Sequence, residues 1–353
     1  MSIKYLHLVM GEIGGVGKSW FCKMLIEVYI SCHLDYLIVD CDETTPNVGR
    51  AYDPPNYDPA CIADYESRAT QAQAELKSLL DAVTDAAKFV EDLPKLLKKA
   101  QANHTKEQTS ETEAALALIN NAVPKHKAAV DAYEKAKLEK MPTPPRKPIY
   151  FISESMDSRD LPSTMIGMAM EKDTIVNLPA QVTKVVNSWI QDSGLLSMTE
   201  YGLNTICWFV GKPTKASIEQ LRSLHAAHDG KLKIVLVKNN FVGHAGNWDE
   251  VMDDVTINFI ETAGILSINI TDLRLNDEQR TLIDQQYATF SGLADPDDKR
   301  LLFHEKMKIR QYLIKTIATI IGTGLLPEIK EPAISKPASE KNKTADKTAG
   351  DVM

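Results

Sequence analysis

Gly14-Gly15-Val16-Gly17-Lys18-Ser19 brings three glycines, a lysine and a hydroxyl together, after an apolar run, Tyr5 to Met10, and before a run of helical character, Trp20 to Cys32. A strand that turns through glycines into a helix opening on Gly-Lys-Ser has the parts needed to grip phosphate. Backbone N–H groups of Gly14, Gly15, Val16 and Gly17 can converge on phosphate oxygens where side chains are small or absent. The helix N-terminus, with Lys18, Ser19 and Trp20 in its first turn, adds a positive dipole end. Lys18 supplies a point charge for the β- and γ-phosphates, and Ser19 a hydroxyl for Mg²⁺. Two acids, Asp40 and Asp42, close the next apolar run, Asp35 to Asp42. Beyond the carboxyl end of a parallel strand they stand where ligands sit in open α/β sheets, suited to a hard cation or to an attacking water.

Composition sets the frame for this chemistry. The 353 residues are 44% hydrophobic and 25% charged, with a formal charge of -8. Such a chain buries a full core without disulfides or metals, and its charge argues against a surface that binds nucleic acid throughout, while leaving room for a local basic patch. Cys22, Cys32, Cys41, Cys61 and Cys207 are odd in number and form no C-x-x-C pair. They read as reduced thiols of a cytoplasmic protein. Met1 to Lys4 leads directly into the first strand with no signal-peptide pattern, and Tyr312 to Leu326 falls short of a membrane span.

The elements that must position the loop follow from periodicity. Trp20 to Cys32 carries one buried face through Phe21, Met24, Leu25, Val28 and Tyr29, and Tyr36 to Val39 reads as a buried parallel strand. From Ile62 to Ala100 apolar positions alternate steps of three and four through Tyr65, Ala69, Ala72, Leu76, Leu79 and Val83 onward. A second such run passes through Ala115, Ile119, Ala122, His126, Ala129, Tyr133 and Ala136. The two predict an antiparallel coiled-coil hairpin, with a kink or restart at Pro94 and Pro124, returning through the proline-rich Met141 to Pro148. Further strands are expected at Ile149–Ile152, Asp173–Ala180, Thr205–Val210 and Leu232–Val237, with helices between them and a last helix at Leu301–Ile321. The loop acids Glu154, Asp157 and Asp160 read as solvated, and His225 with His228 lacks the acid or cysteine that would complete a metal set. Residues 331–353 read as a disordered tail. The expectation is an α/β fold with a doubly wound, mostly parallel sheet over residues 1–60 and 148–328, into which residues 61–147 insert a helical hairpin.

The loop Gly14 to Ser19 resembles the deviant phosphate loop K-G-G-x-G-K-[ST] of the ParA/MinD family of P-loop ATPases. The likeness covers roughly residues 1–50 and 149–325. It departs in two places: Glu12 stands where the general pattern has its first glycine, Gly11 being one position early, and the family's signature lysine falls on Ile13. By this resemblance Asp42 of Asp40-Cys41-Asp42 orients the attacking water, Asp40 lies near the magnesium shell, and Asn239 reads the adenine edge. The stretch Asp173 to Ala180 resembles the strand that ends in the Walker B acid before a Pro-containing turn, with Asn177 at the place of the acid. ATP and Mg²⁺ are the implied cofactors, Lys18 and Asp42 the implied catalytic residues, and a nucleotide-dependent homodimer the implied assembly.

The resemblance implies a slow Mg-ATPase switch in plasmid or DNA partition, or in conjugative mobilisation, to which Ile175 to Gln181 bears some likeness. Its association with DNA would be indirect, its protein partner held by the helical arm, and no membrane involved. Ile13 and Asn177 support an alternative, a nucleotide-binding adaptor that has lost turnover. A third reading is an ATP-dependent ligase or kinase of the dethiobiotin synthetase type, which also lacks the signature lysine, but no convergent polar set in the sequence announces its substrate pocket.

Overall fold

In the computed structural model, residues 3–11, 13–102, 109–149, 161–240 and 247–329 are described. Strand β1 (Lys4–Met10) is the centre from which the rest is laid out. It pairs in parallel with β3 (Asp173–Asn177) on one side and with β4 (Leu203–Gly211) on the other. Strand β2 (Tyr36–Asp40) lies outside β3, while β5 (Lys233–Asn239) and β6 (Leu266–Ile270) extend the other wing. The described strands thus run in the order β2-β3-β1-β4-β5-β6, all parallel. The β3-to-β4 connection passes from one side of β1 to the other, so the crevice beyond the carboxyl end of β1 is where strand order reverses.

Both faces of the sheet are covered, and side-chain alternation shows how. Val9, Ile38, Ile175, Trp208, Val210 and Val237 face a core shared with α1 (Lys18–Ser31), α11 (Asp277–Asp284), α12 (Phe290–Leu293) and α13 (Phe303–Ile321). Leu8, Val39, Val176, Cys207, Phe209 and Leu236 face a second core. It is shared with α6 (Leu161–Glu171), α7 (Thr183–Asp192), α8 (Lys215–Ala227) and α10 (Asp254–Thr262). Burial on both faces is why these strands read as nearly unbroken apolar runs. Helix α1 is buried along most of its length, down to Lys23 and Glu27. Short helices α2 (Asn47–Tyr52), α3 (Pro54–Tyr57) and α9 (Trp248–Val251), and a 3₁₀ segment Leu195–Tyr201, fill the connections. All five cysteines are free thiols.

The chain divides into two units, residues 1–57 with 147–353, and residues 58–146. The second is the helix pair α4 (Pro59–Ala102) and α5 (Thr109–Lys140). Ala69, Ala72, Leu76 and Ala122 are buried at the seam spacing, and Lys140 near the end of α5 binds Glu75 of α4 at 2.7 Å. Small seam residues let the helices approach closely. Neither proline starts a new helix: α4 runs through Pro94 and α5 through Pro124. Of the kink or restart expected at each proline, the restart is not found. Each proline removes one backbone donor, and the turns on either side retain theirs.

A strand at Ile149–Ile152 is not formed at Ile149, which is buried but irregular; residues 150–152 lie outside the described residues. So do Glu12, the acids Glu154, Asp157 and Asp160, loop positions 243–246 and the tail 331–353. Among the described residues no helix is long and apolar enough to cross a membrane.

Candidate functional site

The loop between β1 and α1 is shaped by four glycines, Gly11, Gly14, Gly15 and Gly17. A side chain at Gly11 would put its Cβ 2.5 Å from the Val210 carbonyl oxygen, so this glycine, one position earlier than the general pattern, lets the loop cross close to β4. Gly15 (φ 71°) and Gly17 (φ 93°) take the left-handed backbone that disfavours other residues. Among the described residues, and apart from the chain neighbours, no atom lies within 4 Å of where a Cβ would stand at Gly14 or Gly15. Gly17 is the N-cap of α1, and no side chain caps that end. The Lys18 side chain, mostly buried, starts the helix.

Asn239, at the end of β5, sits beneath this loop. It is buried, and its Nδ2 donates to the Val16 carbonyl at 2.7 Å. A Cβ on Gly17 would fall 2.2 Å from the same nitrogen. The side chain expected to read an adenine edge is therefore engaged with the loop backbone, and its clear role here is to hold Val16 and Gly17 in place. Val16 itself is 1% exposed and packs in the core with α1.

The ends of β2 and β3 complete the constellation. In register, Asp40 pairs with Asn177, and Asn177 Nδ2 donates to Asp40 Oδ1 at 2.9 Å and to Ser19 Oγ at 3.3 Å. Asp40 Oδ1 also accepts from the Asp42 N–H at 3.3 Å, and its Oδ2 from the Val48 and Gly49 N–H groups at 3.0 and 2.9 Å. Those four bonds use the carboxylate's ordinary accepting capacity. Burial pushes the Asp40 carboxyl up to about 6, against the lowering effect of its hydrogen bonds. Asp40 thus anchors the start of α2 and orients Asn177. The opposite atom of that amide, Asn177 Oδ1, is buried with no hydrogen-bond partner.

Asp42 turns onto its own loop. Its Oδ1 accepts from Thr44 N (3.2 Å), Thr44 Oγ1 (2.8 Å) and Thr45 N (3.1 Å), and its Oδ2 from Thr45 Oγ1 (3.2 Å). To orient a water it must give up part of this turn. Trp20 points the other way from phosphate chemistry: its Nε1 donates to Tyr312 Oη at 2.8 Å and its ring meets Phe290 edge-on, at 4.7 Å between centroids. Only its backbone N–H belongs to the helix start. Ile13 packs partly buried against the core.

His225 and His228 do not act together. His228 Nε2 meets Asn187 Oδ1 at 3.0 Å, and His225 packs edge-on to Phe259. Among the described residues no three His, Cys, Asp or Glu side chains are placed to hold a metal ion.

Sequence reasoning missed a polar cluster in the core between β1, α1 and the start of β3. Trp208 Nε1 donates to His7 Nδ1 at 3.0 Å, which puts the His7 proton on Nε2, 2.7 Å from the Tyr29 oxygen; Tyr29 in turn donates to Asp173 at 3.2 Å. Burial lowers the His7 pKa to about 3, so the ring stays neutral. A histidine in the middle of an apolar strand opposite a helix tyrosine was the available signal.

The chain matches no protein-family model, and no curated protein matches it in sequence.

Proposed function

We propose that this chain binds ATP with Mg²⁺ at the loop Gly11 to Ser19 and works as a slow ATPase switch of the ParA/MinD kind. The observation that carries the reading is the meeting of three strand ends. A left-handed glycine turn after β1 opens α1 on Lys18 and Ser19, and the ends of β2 and β3 bring Asp40 and Asn177 to the Ser19 hydroxyl. Gly14 through Ser19 would present backbone N–H groups to the phosphates, and Lys18 its ammonium.

The donors fit a hard cation. Ser19 Oγ and the unpartnered Asn177 Oδ1 are oxygen ligands of the type Mg²⁺ takes, and Asp40 holds the amide so that this oxygen faces away from the carboxylate. When bound, such an ion neutralises charge on the phosphate oxygens. Asp42 is the candidate to orient water once its turn onto Thr44 and Thr45 opens, coupling hydrolysis to the shape of the loop before α2. The arm formed by α4 and α5 is the candidate surface for a protein partner, and through it the switch would serve DNA partition or conjugative mobilisation.

One observation favours the alternative of an adaptor without turnover. Both oxygens of Asp42 are taken and an amide stands where an acid would strengthen the cation site. Equilibrium dialysis of labelled ATP against the parent and Lys18→Ala tests binding. Retention by the parent and loss in the variant support the reading, and equal retention or none in both overturns it. Phosphate release then separates switch from adaptor, and light scattering with ATP and with ADP tests nucleotide-dependent dimerisation.

A further inference from the structure

Residues 283–291, from the end of α11 into α12, touch both α1, which starts at the phosphate loop, and α2, which follows Asp42. On the α1 side, Lys23 Nζ donates to the Ile283 carbonyl at 3.2 Å, and Glu27 Oε1 accepts from the Ser291 N–H at 2.9 Å. On the α2 side, Arg50 Nη1 donates to Tyr287 Oη at 2.5 Å. Tyr52 Oη donates to Glu27 Oε1 at 2.7 Å and accepts from the Phe290 N–H at 3.2 Å. Phe290 is where the two sides meet, since its ring also lies edge-on to Trp20, two residues after Lys18. The start of α2 is tied to the site itself, through the Val48 and Gly49 N–H groups on Asp40.

This contact is made at a cost. Tyr287 stands at φ 52°, in the left-handed region that a bulky L residue disfavours. Arg50 Nε and Glu27 Oε2, in two of the side chains that grip the segment, are buried without partners. A docked helix that leaves a backbone strained and two charged groups short of hydrogen bonds is held less firmly than its bonds suggest, and such costs gather at elements that switch. We propose that α2 and residues 283–291 form a strained latch, closed in this structure, which opens when the loop after β2 is reshaped around bound nucleotide and so carries the state of the site to α12 and α13. The trigger rests on the reading that ATP binds at the loop Gly11 to Ser19. By linkage, whatever weakens the latch must then favour ATP.

The test combines amide hydrogen exchange at single residues, with and without ATP and Mg²⁺, with equilibrium dialysis of labelled ATP, on the parent, Tyr287→Phe and Arg50→Leu. The two variants remove the same hydrogen bond from its two ends, so a folding defect in one does not silence the other. In the parent, ATP should slow exchange at residues 14–19 and speed exchange of the Phe290 and Ser291 amides about tenfold or more. Both variants should speed exchange at Phe290 and Ser291 without nucleotide and bind ATP severalfold more tightly, because a larger fraction of the chain is already open. A contact that only stiffens the fold would leave ATP affinity unchanged or lower it. That result overturns the latch, as does protection at residues 14–19 with no faster exchange at Phe290 and Ser291. Absence of both protection at 14–19 and ATP retention marks the failure of the nucleotide reading instead, and the latch falls with its trigger.

Discussion

Asn177 and Asp40 end neighbouring strands, and one hydrogen bond of 2.9 Å between amide and carboxylate fixes which way the amide points. The nitrogen faces Asp40 and Ser19, and the oxygen is left buried without a partner. Were the amide reversed, two oxygens would face each other and the nitrogen would be the orphan. A neutral side chain thus leaves one unpartnered oxygen at the crowded end of β2 without adding a second charge there.

Asn177→Asp should convert that economy into a cation requirement. A second carboxylate beside Asp40 leaves an uncompensated buried charge, expected to cost roughly 3 kcal/mol in the absence of divalent ion. Urea unfolding in EDTA and in Mg²⁺ checks this, and Mg²⁺ should restore most of the loss. A variant indifferent to Mg²⁺ would remove the cation from the site.

Gly17→Ala and Asn239→Ala should damage the loop from its two sides. The first forces a left-handed backbone on a residue with a Cβ and drives it into Asn239, costing about 1–2 kcal/mol from the backbone alone. The second removes the bond that holds Val16, leaves a buried carbonyl unpaired, and should cost about 1–3 kcal/mol. Both should weaken ATP retention in dialysis, and Asn239→Ala should do so without preference among bases. Loss of adenine selectivity alone would instead return Asn239 to the role of base reader.

Asp42→Ala should separate binding from turnover. If Asp42 orients water, phosphate release at saturating ATP falls by about 10²-fold while ATP affinity is little changed. Equal turnover in parent and variant would assign the residue to its Thr44–Thr45 turn alone.

His7→Gln should change the acid limb of the stability curve. In the fold His7 is neutral, held at about 3 by burial, while in the unfolded chain it takes up a proton near 6.5. Between those values the unfolded state binds more protons, so the His7 contribution is complete above about 6.5 and is lost as pH falls toward 3. Glu27 and Asp173, whose carboxyls are raised by burial, act in the opposite sense over the lower part of this range. Melting temperatures from pH 4 to 7 should show a shallower acid fall for the variant than for the parent. Parallel curves would mean that His7 is not the titrating group.

Much of the fold was legible because burial and periodicity coincide. Strands β1, β2, β4 and β5 are two-faced apolar runs, and the seam positions Tyr65, Ala69, Ala72, Leu76, Leu79 and Val83 are the shielded residues of α4. Strand β6 was not legible: Leu266, Ser267 and Asn269 are exposed at the sheet edge, leaving Ile268 and Ile270 as too short a pattern. Helices α11 and α12 begin on side-chain caps, Asn276 and Thr289, inside a polar stretch that carries little helical rhythm. At the site, glycine spacing and strand-end acids pointed to Lys18, Ser19 and Asp40. What could not be read was which donors each acid meets, since the bonds of Asp40 to Asn177 and of Asn239 to Val16 join distant parts of the chain.

The pairing of β2 with β3 also dictates an order of assembly. Asp40 and Asn177 are 137 positions apart, and closing a flexible loop of that length costs about 4 kcal/mol in chain entropy before any ladder bond forms. A helical hairpin that zips first from local contacts leaves roughly fifty free residues and trims this by about 1 kcal/mol, severalfold in rate. Strand β3 still has to enter between β1 and β2. During synthesis the glycine turn therefore exists long before the amide of Asn177, whose buried oxygen takes its place beside that turn only when β3 arrives.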